Sequence, residues 1–360
     1  MSLFDLAPKE TPSALFGRER ELQELTRLIE ARRWVAVLGP RMMGKTSLVR
    51  AAQRRLDRPG AYVNLWGVRS LQGVLEGLVR GFTQSRSLLS RLRSGLRRID
   101  GISVGPAGVS VSTAARPAAA VWDVLDLVGS EKKDCLIVLD EVQELGSNSG
   151  ALLRLLGNVF NSHPNVCFVF TGPMFGVIRS LLHPAITSPL YGRSPVPVEL
   201  GPFDRTTAEA FLRKGTEEAG TSLTREEVAT ALDGPLDGTP GWLTLLGNHL
   251  TVRHLDFDRA FQTTLEEGKQ VAKDEIGHFL LARDPRLYWP ALKVVAQGAG
   301  WAEVRDAIGA RQEARINNAT VQRVLGSLVA DQLVVKEGST YRVRDPMVRA
   351  YVAGASRPPR

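Results

Sequence analysis

Gly39-Pro40-Arg41-Met42-Met43-Gly44-Lys45-Thr46 decides the reading of this chain. The stretch fits the spacing G-x-x-x-x-G-K-[ST], follows the apolar run Trp34 to Leu38, and opens a helix-forming stretch from Lys45 to Leu56 that Pro59-Gly60 stops. Strand, glycine-rich turn and helix in that order predict a phosphate-binding loop. Its glycines let backbone N–H groups turn inward around a β-phosphate, and the helix N-terminus adds partial positive charge. Lys45 is placed to neutralise β- and γ-phosphates as a catalytic group, and Thr46 to offer its hydroxyl to Mg²⁺. Gly39, Pro40, Arg41, Met42, Met43, Gly44, Lys45, Thr46 and Ser47 are the expected nucleotide contacts. A chance match in a glycine-bearing turn is the alternative, and the strand and helix on the correct sides argue against it.

Further apolar runs at Ala61 to Leu65, Cys135 to Leu139, Val166 to Thr171 and Val196 to Leu200 alternate with helical stretches. That alternation predicts an α/β domain with a parallel sheet covered on both faces, and each run reads as too apolar for an edge exposed to water. Leu136 to Leu139 deliver Asp140 and Glu141 at a strand's C-terminal end, where open sheets bind ligands. Asp140 is expected to hold Mg²⁺. Glu141, pointing the other way, is expected to polarise the attacking water, with a helix-capping role as its bland alternative. Gln143 can add a polar contact. Thr171 ends the next strand and is a candidate sensor of the γ-phosphate or of the water, or else a cap for the next helix. Arg193 precedes the last strand, where it stabilises transition-state charge in its own or a neighbouring subunit, or forms a structural ion pair.

Composition sets the bounds. With 360 residues, 43% hydrophobic and 23% charged, the chain has material for two or three packed domains and no signature of disorder. Neither a leader-like N-terminus nor a membrane-spanning apolar run is evident, so a cytoplasmic location without membrane contact is expected. Cys135 and Cys167 lie in strand-like runs and read as buried thiols. From Phe203 to about Arg283 the pattern is helical, broken at Gly220, Gly234-Pro235 and Gly238 to Gly241. The expected division is a core over 1–202, a helical lid over 203–284 and a last domain over 285–360.

The net charge of +8 is local. Between Arg286 and Arg360 twelve basic residues face six acidic ones. One helix around Trp301, Val304, Ala307 and Ile308 and a second with Val321, Val324, Leu325, Leu328 and Val329 on one face lead into a hairpin at Leu333 to Arg344. This pattern predicts a winged helix-turn-helix whose second helix meets DNA, with Arg315, Arg323, Lys336, Arg342 and Arg344 as contacts. A packing role is the alternative. An insertion at about 82–120 carries Arg86, Arg91, Arg93, Arg97 and Arg98, then a hairpin around Gly105-Pro106-Ala107-Gly108. It reads as a solvated helix face, with nucleic-acid or oligomer contact as alternatives.

Phe16-Gly17-Arg18-Glu19, the phosphate loop, Asp140-Glu141-Val142-Gln143, Thr171-Gly172, Pro189 to Arg193 and Gly238-Thr239-Pro240-Gly241 together resemble the archaeal ATPase family in the STAND branch of AAA+-related ATPases. The resemblance covers nearly the whole chain. It implies a P-loop core of the ASCE type with a 5-1-4-3-2 sheet, a helical lid and a C-terminal winged helix, and ATP and Mg²⁺ as cofactors. It places Phe16, Gly17 and Arg18 beside the adenine and brings Pro240 to the base from the lid. Pro173 stands where the family often has serine, and the lid lacks a clear second-sensor arginine. The expected function is Mg²⁺-dependent ATP hydrolysis to ADP coupled to DNA binding or remodelling. Its alternative is a slow ATP-dependent switch, a regulator or defence protein with a protein or DNA trigger. A homo-oligomer is compatible with either reading, and relatedness to replication-origin initiators is a weaker one.

Overall fold

The computed structural model describes residues 2–359 except 85, 106, 107, 132, 175, 282 and 313–315, and it leaves the side chains at 86, 87, 147 and 312 undescribed. The chain divides into two compact units, Pro8–Leu200 and Gly201–Arg360, and residues 2–7 pack with the latter.

The first unit runs α1 (Glu19–Glu30), β1 (Val35–Leu38), α2 (Lys45–Leu56), β2 (Gly60–Asn64), α3 (Leu71–Thr83), α4 (Arg86–Leu96), β3 (Ile102–Gly105), β4 (Gly108–Val111), α5 (Pro117–Ser130), β5 (Cys135–Asp140), α6 (Ser149–Ser162), β6 (Val166–Gly172), α7 (Val177–Leu182) and β7 (Val196–Glu199). Five strands form a parallel sheet in the order β2-β5-β6-β1-β7. Counting only these five in chain order and reading from β7, this is 5-1-4-3-2. β1, β5 and β6 are buried along their whole length, as strands covered on both faces must be.

One expectation needs correction. β2 and β7 are edge strands, although their sequences read as too apolar for that place. Burial alternates along them: Ala61 and Val63 are buried while Tyr62 is half-buried, and in β7 only Val198 is buried. Apolar residues at every second position suffice for an edge with one covered face. The insertion forms α4 and the β3–β4 hairpin, which is tied to α3 where Gln72 Nε2 donates to the Ser112 carbonyl at 2.9 Å. Arg91 is paired with Glu131 at 2.7 Å, Arg93 donates to the Gly105 carbonyl at 2.6 Å, and Arg97 and Arg98 are exposed. Cys135 and Cys167 are free thiols, each pushed up to about 12 by burial.

The second unit runs α8 (Arg205–Glu218), α9 (Arg225–Asp233), α10 (Pro240–Thr251), α11 (Phe257–Leu280), α12 (Pro285–Val295), β8 (Ala299–Gly300), α13 (Trp301–Gln312), α14 (Asn318–Ala330), β9 (Val334–Glu337), β10 (Thr340–Val343) and α15 (Pro346–Gly354). Asp204, Thr224, Asp256, Asn317 and Asp345 each accept an N–H at a helix start, which fixes those boundaries. β8, β10 and β9 form a small antiparallel sheet. α11 and α15 pack together across the expected divide near residue 284, with Met347 against Gly268. α14 buries Val321, Val324, Leu325 and Leu328, while Val329, expected on the same face, is 36% exposed. No helix among the described residues is long and apolar enough to cross a membrane.

Leu3 and Phe4 form part of this core. Phe4 is fully buried, edge-on to Phe211 at 5.7 Å and lying against Gly215 and Gly247. Asn248 Nδ2 donates to the Phe4 carbonyl at 3.1 Å, and the Leu3 N–H to Glu218 Oε2 at 3.0 Å. Phe4→Ala is expected to cost about 3 kcal/mol, the lower end for an emptied buried aromatic site. Chemical denaturation monitored by circular dichroism checks this, and a midpoint unchanged from wild type would contradict the packing.

Candidate nucleotide site

The C-terminal ends of β1, β5 and β6 lie side by side in the first unit, with Leu38 opposite Gly172 and Leu139 opposite Phe170. The loop leaving β1 has Gly39 at φ 147° and Gly44 at φ 85°. A Cβ on Gly39 would stand 2.6 Å from the Leu200 carbonyl oxygen, so only glycine fits there. Gly44 directly precedes α2 in the left-handed region, a turn that aims the first N–H groups of the helix into the loop.

Lys45 is 5% exposed, and its Nζ donates to the carbonyls of Gly39 at 2.8 Å and Pro40 at 2.9 Å. The ammonium is thus held against the loop. Asp140, 2% exposed, accepts three hydroxyls. Thr46 Oγ1 at 3.0 Å and the Tyr62 phenol share Oδ2, and Thr171 takes Oδ1. Thr171 is fully buried and also accepts the Glu141 N–H at 3.1 Å. Glu141 has φ 58° and ψ 46°, a left-handed conformation costing on the order of 1–3 kcal/mol for a residue with a side chain. Such strain is retained where the chain must turn abruptly, and here the turn directly follows the end of β5 at Asp140.

Tyr62 and Trp66 escape a reading of the sequence. Tyr62 lies two residues before Asn64, which pairs with Asp140, so both side chains share a face of the sheet. Burial, reinforced by the charge and hydrogen bond of Asp140, pushes the phenol well above its ordinary range, and it remains a donor. The Arg50 guanidinium stacks 3.5 Å from its ring. Trp66 is 55% exposed and carries the Arg41 guanidinium at 4.5 Å. An aromatic residue just beyond a strand that borders the acidic pair was the available signal.

Of the other expected residues, Arg18 is buried and joins the loop: its Nη1 pairs with Glu21 at 2.9 Å and its Nη2 donates to the Met43 carbonyl at 3.4 Å. Phe16 and Gly17 precede it, half-buried, and Ser47 Oγ accepts the Lys9 N–H at 3.0 Å. Arg193 is not brought to the loop. It lies 5.6 Å from the Phe160 ring, Phe160 packs on Trp34, and Val196 donates to the Trp34 carbonyl at 2.8 Å. It therefore sits at the start of β1, roughly 13 Å of strand from the loop. Pro240 opens α10 in the second unit. There Arg323, Lys336, Arg342 and Arg344 are exposed, with Lys336 Nζ 5.6 Å from the Tyr341 ring and Arg344 donating to Gln332 Oε1 at 2.8 Å. Arg315 lies outside the described residues.

A phosphate chain is the ligand that calls for inward N–H groups, a desolvated ammonium and a carboxylate beyond the adjacent strand, and the first unit is of the P-loop ATPase class. Residues 15–246 match the profile of an ATPase domain predominantly from Archaea. The chain belongs to this archaeal ATPase family and is an ATP-hydrolysing enzyme. Among solved structures it is similar to the Walker-type ATPase PABY2304 of Pyrococcus abyssi, at 28% identity and a TM-score of 0.77 over 97% of this chain and 99% of that one. The ORC2 protein of Aeropyrum pernix, solved as ADPNP-ADP complexes, is similar at 15% identity and a TM-score of 0.65, over 98% and 95% of the two chains. The ORC1 protein of the same organism, in complex with DNA, is similar at 14% identity and a TM-score of 0.50, over 98% and 96%. These last two share the fold. Comparison with curated proteins gave no match.

Proposed function

We propose that the first unit hydrolyses ATP with Mg²⁺ and that the second couples this to DNA through a winged helix formed by residues 285–360. The acidic pair carries the hydrolytic reading: Asp140 ends a buried strand, Glu141 follows it in a left-handed backbone conformation, and the two side chains bond to different partners. The donor set fits a hard cation. One hydroxyl and one buried carboxylate are what Mg²⁺ takes from a protein when phosphates and water complete its shell. Thr46 and Asp140 would hold it, and it would supply charge neutralisation on the phosphates. Residues 39–47 cradle the phosphates, Lys45 bonds the β- and γ-oxygens, and Glu141 takes a proton from the attacking water. Thr171, through Asp140 and the Glu141 backbone, senses occupancy. Phe16, Gly17 and Arg18 border the adenine. Arg193, remote from its own loop, acts on a neighbouring subunit of a homo-oligomer.

The DNA reading rests on α14, whose apolar face is buried while Asn318, Gln322 and Arg323 are exposed, and on exposed Lys336, Arg342 and Arg344 in the hairpin that follows. The similar ORC1 protein was solved in complex with DNA, which supports this class of partner. Steady-state ATP hydrolysis with Mg²⁺, alone and with single-stranded, duplex and four-way-junction DNA, tests it. One DNA form is expected to raise the rate several-fold, less so at higher salt because phosphate contacts release counterions. Arg323→Ala is expected to lower the stimulated rate toward the DNA-free one. The absence of both stimulation and DNA binding would favour a second reading, a STAND-type switch in which the winged helix is a packing module. The packing of α15 on α11 supports that alternative.

A further inference from the structure

The side chain of Glu141 has a partner two residues on, where Gln143 Nε2 donates to its Oε2. The other end of that carboxamide, Oε1, is buried and accepts no hydrogen bond among the described residues. It lies against the end of β6, where a Cβ on Gly172 would stand 2.5 Å from it. A carboxylate accepts only, so the nitrogen must face Glu141 and the oxygen must face Gly172. A buried amide oxygen without a donor costs about 1–3 kcal/mol, a cost an apolar side chain of similar size would not carry. What the amide adds at this position is its bond to Glu141.

We propose that Gln143 is a positioning residue for hydrolysis: its carboxamide, seated in the space left by Gly172, holds one oxygen of Glu141 and leaves the other to receive the proton of the attacking water. The inference rests on Glu141 being the base. A glutamate side chain has three rotatable bonds, and a base must stand within about 3 Å of the oxygen whose proton it takes. Pinning Oε2 confines Oε1. As the water oxygen bonds the γ-phosphorus, Glu141 Oε1 takes one of its protons, and the bond to the β,γ-bridging oxygen breaks with its electron pair leaving on ADP. Gln143 exchanges no proton.

The test compares Gln143→Leu, Gln143→Glu, Glu141→Gln and the Glu141→Gln/Gln143→Leu double variant in the full chain. Each is assayed for ATP hydrolysis with Mg²⁺ and for affinity for a fluorescent ADP analogue. Gln143→Leu is expected to lower kcat about 10- to 100-fold, the scale of a misplacement near 1 Å. KM for ATP and ADP-analogue affinity are expected to stay within about twofold, which also shows that the site is folded. Gln143→Glu, which keeps the length and loses the donor, is expected to be no better. Adding Gln143→Leu to Glu141→Gln is expected to cost nothing further, because Gln143 acts only through Glu141. Gln143→Met replaces the leucine variant if the latter does not bind the analogue. A wild-type kcat in Gln143→Leu beside an inactive Glu141→Gln overturns the inference and leaves the base standing. So does an equal loss in both backgrounds. Normal hydrolysis by Glu141→Gln overturns the base itself and the inference with it.

Discussion

Lys45→Ala is expected to weaken nucleotide binding about 10²- to 10⁴-fold. The ammonium is buried and bonded to two carbonyls of its own loop, so it already occupies a desolvated seat beside the residues proposed to cradle the phosphates. Two charge-assisted hydrogen bonds at about 1.5–3 kcal/mol each would be lost. The carbonyls of Gly39 and Pro40 would also lose their donor, and a loop whose glycine conformations depend on being held would relax. Titration with a fluorescent ADP analogue, with and without Mg²⁺, reads the effect directly. Affinity within threefold of wild type would show that the backbone N–H groups alone hold the phosphates, against the role given to Lys45.

Glu141→Gln should separate binding from chemistry. The substitution keeps the size of the side chain and removes its capacity to take a proton, so ATP affinity is expected to stay near wild type while kcat falls about 10²- to 10⁴-fold, the range for a lost general base. Asp140, the neighbour bonded to Thr46, Tyr62 and Thr171, is untouched by the change. Single-turnover hydrolysis with enzyme in excess distinguishes a slow chemical step from slow product release. A single-turnover rate equal to wild type would mean that another group activates the water.

The elements nearest the site are the most legible in the sequence. α2 spans the residues its sequence signals assign, because Gly44 and Pro59 punctuate both ends and the apolar run before it ends at Gly39. The carboxylates of β5 are legible for the same reason: an unbroken apolar run stops abruptly in charge. The strand order is the one the family resemblance implies, but the register between strands is not legible in the sequence. That Tyr62 meets Asp140 depends on the register of β2 against β5, and that Gln143 lies on Gly172 depends on where the chain turns after β5. Neither leaves a mark in local periodicity. The edge positions of β2 and β7 are misread when apolar content is weighed without its alternation. Arg193 is readable in one respect: it precedes β7, and parallel strands begin at the end of the sheet opposite the loop.

The burial of Phe4 sets an order on the making of the protein. The residues that enclose it, Phe211, Gly215 and Gly247, are translated more than two hundred positions later, with the whole of 8–200 in between. At about 5–20 residues per second, a nascent chain carries Phe4 uncovered for roughly 10–50 seconds, long enough for residues 8–200 to close into a folded body first. The unit that takes in residues 2–7 is therefore completed after the one formed by residues 8–200. A change at Phe4 would act on the late step, its docking into α8 and α10, and its effect would be felt in the part of the protein farthest from it in sequence.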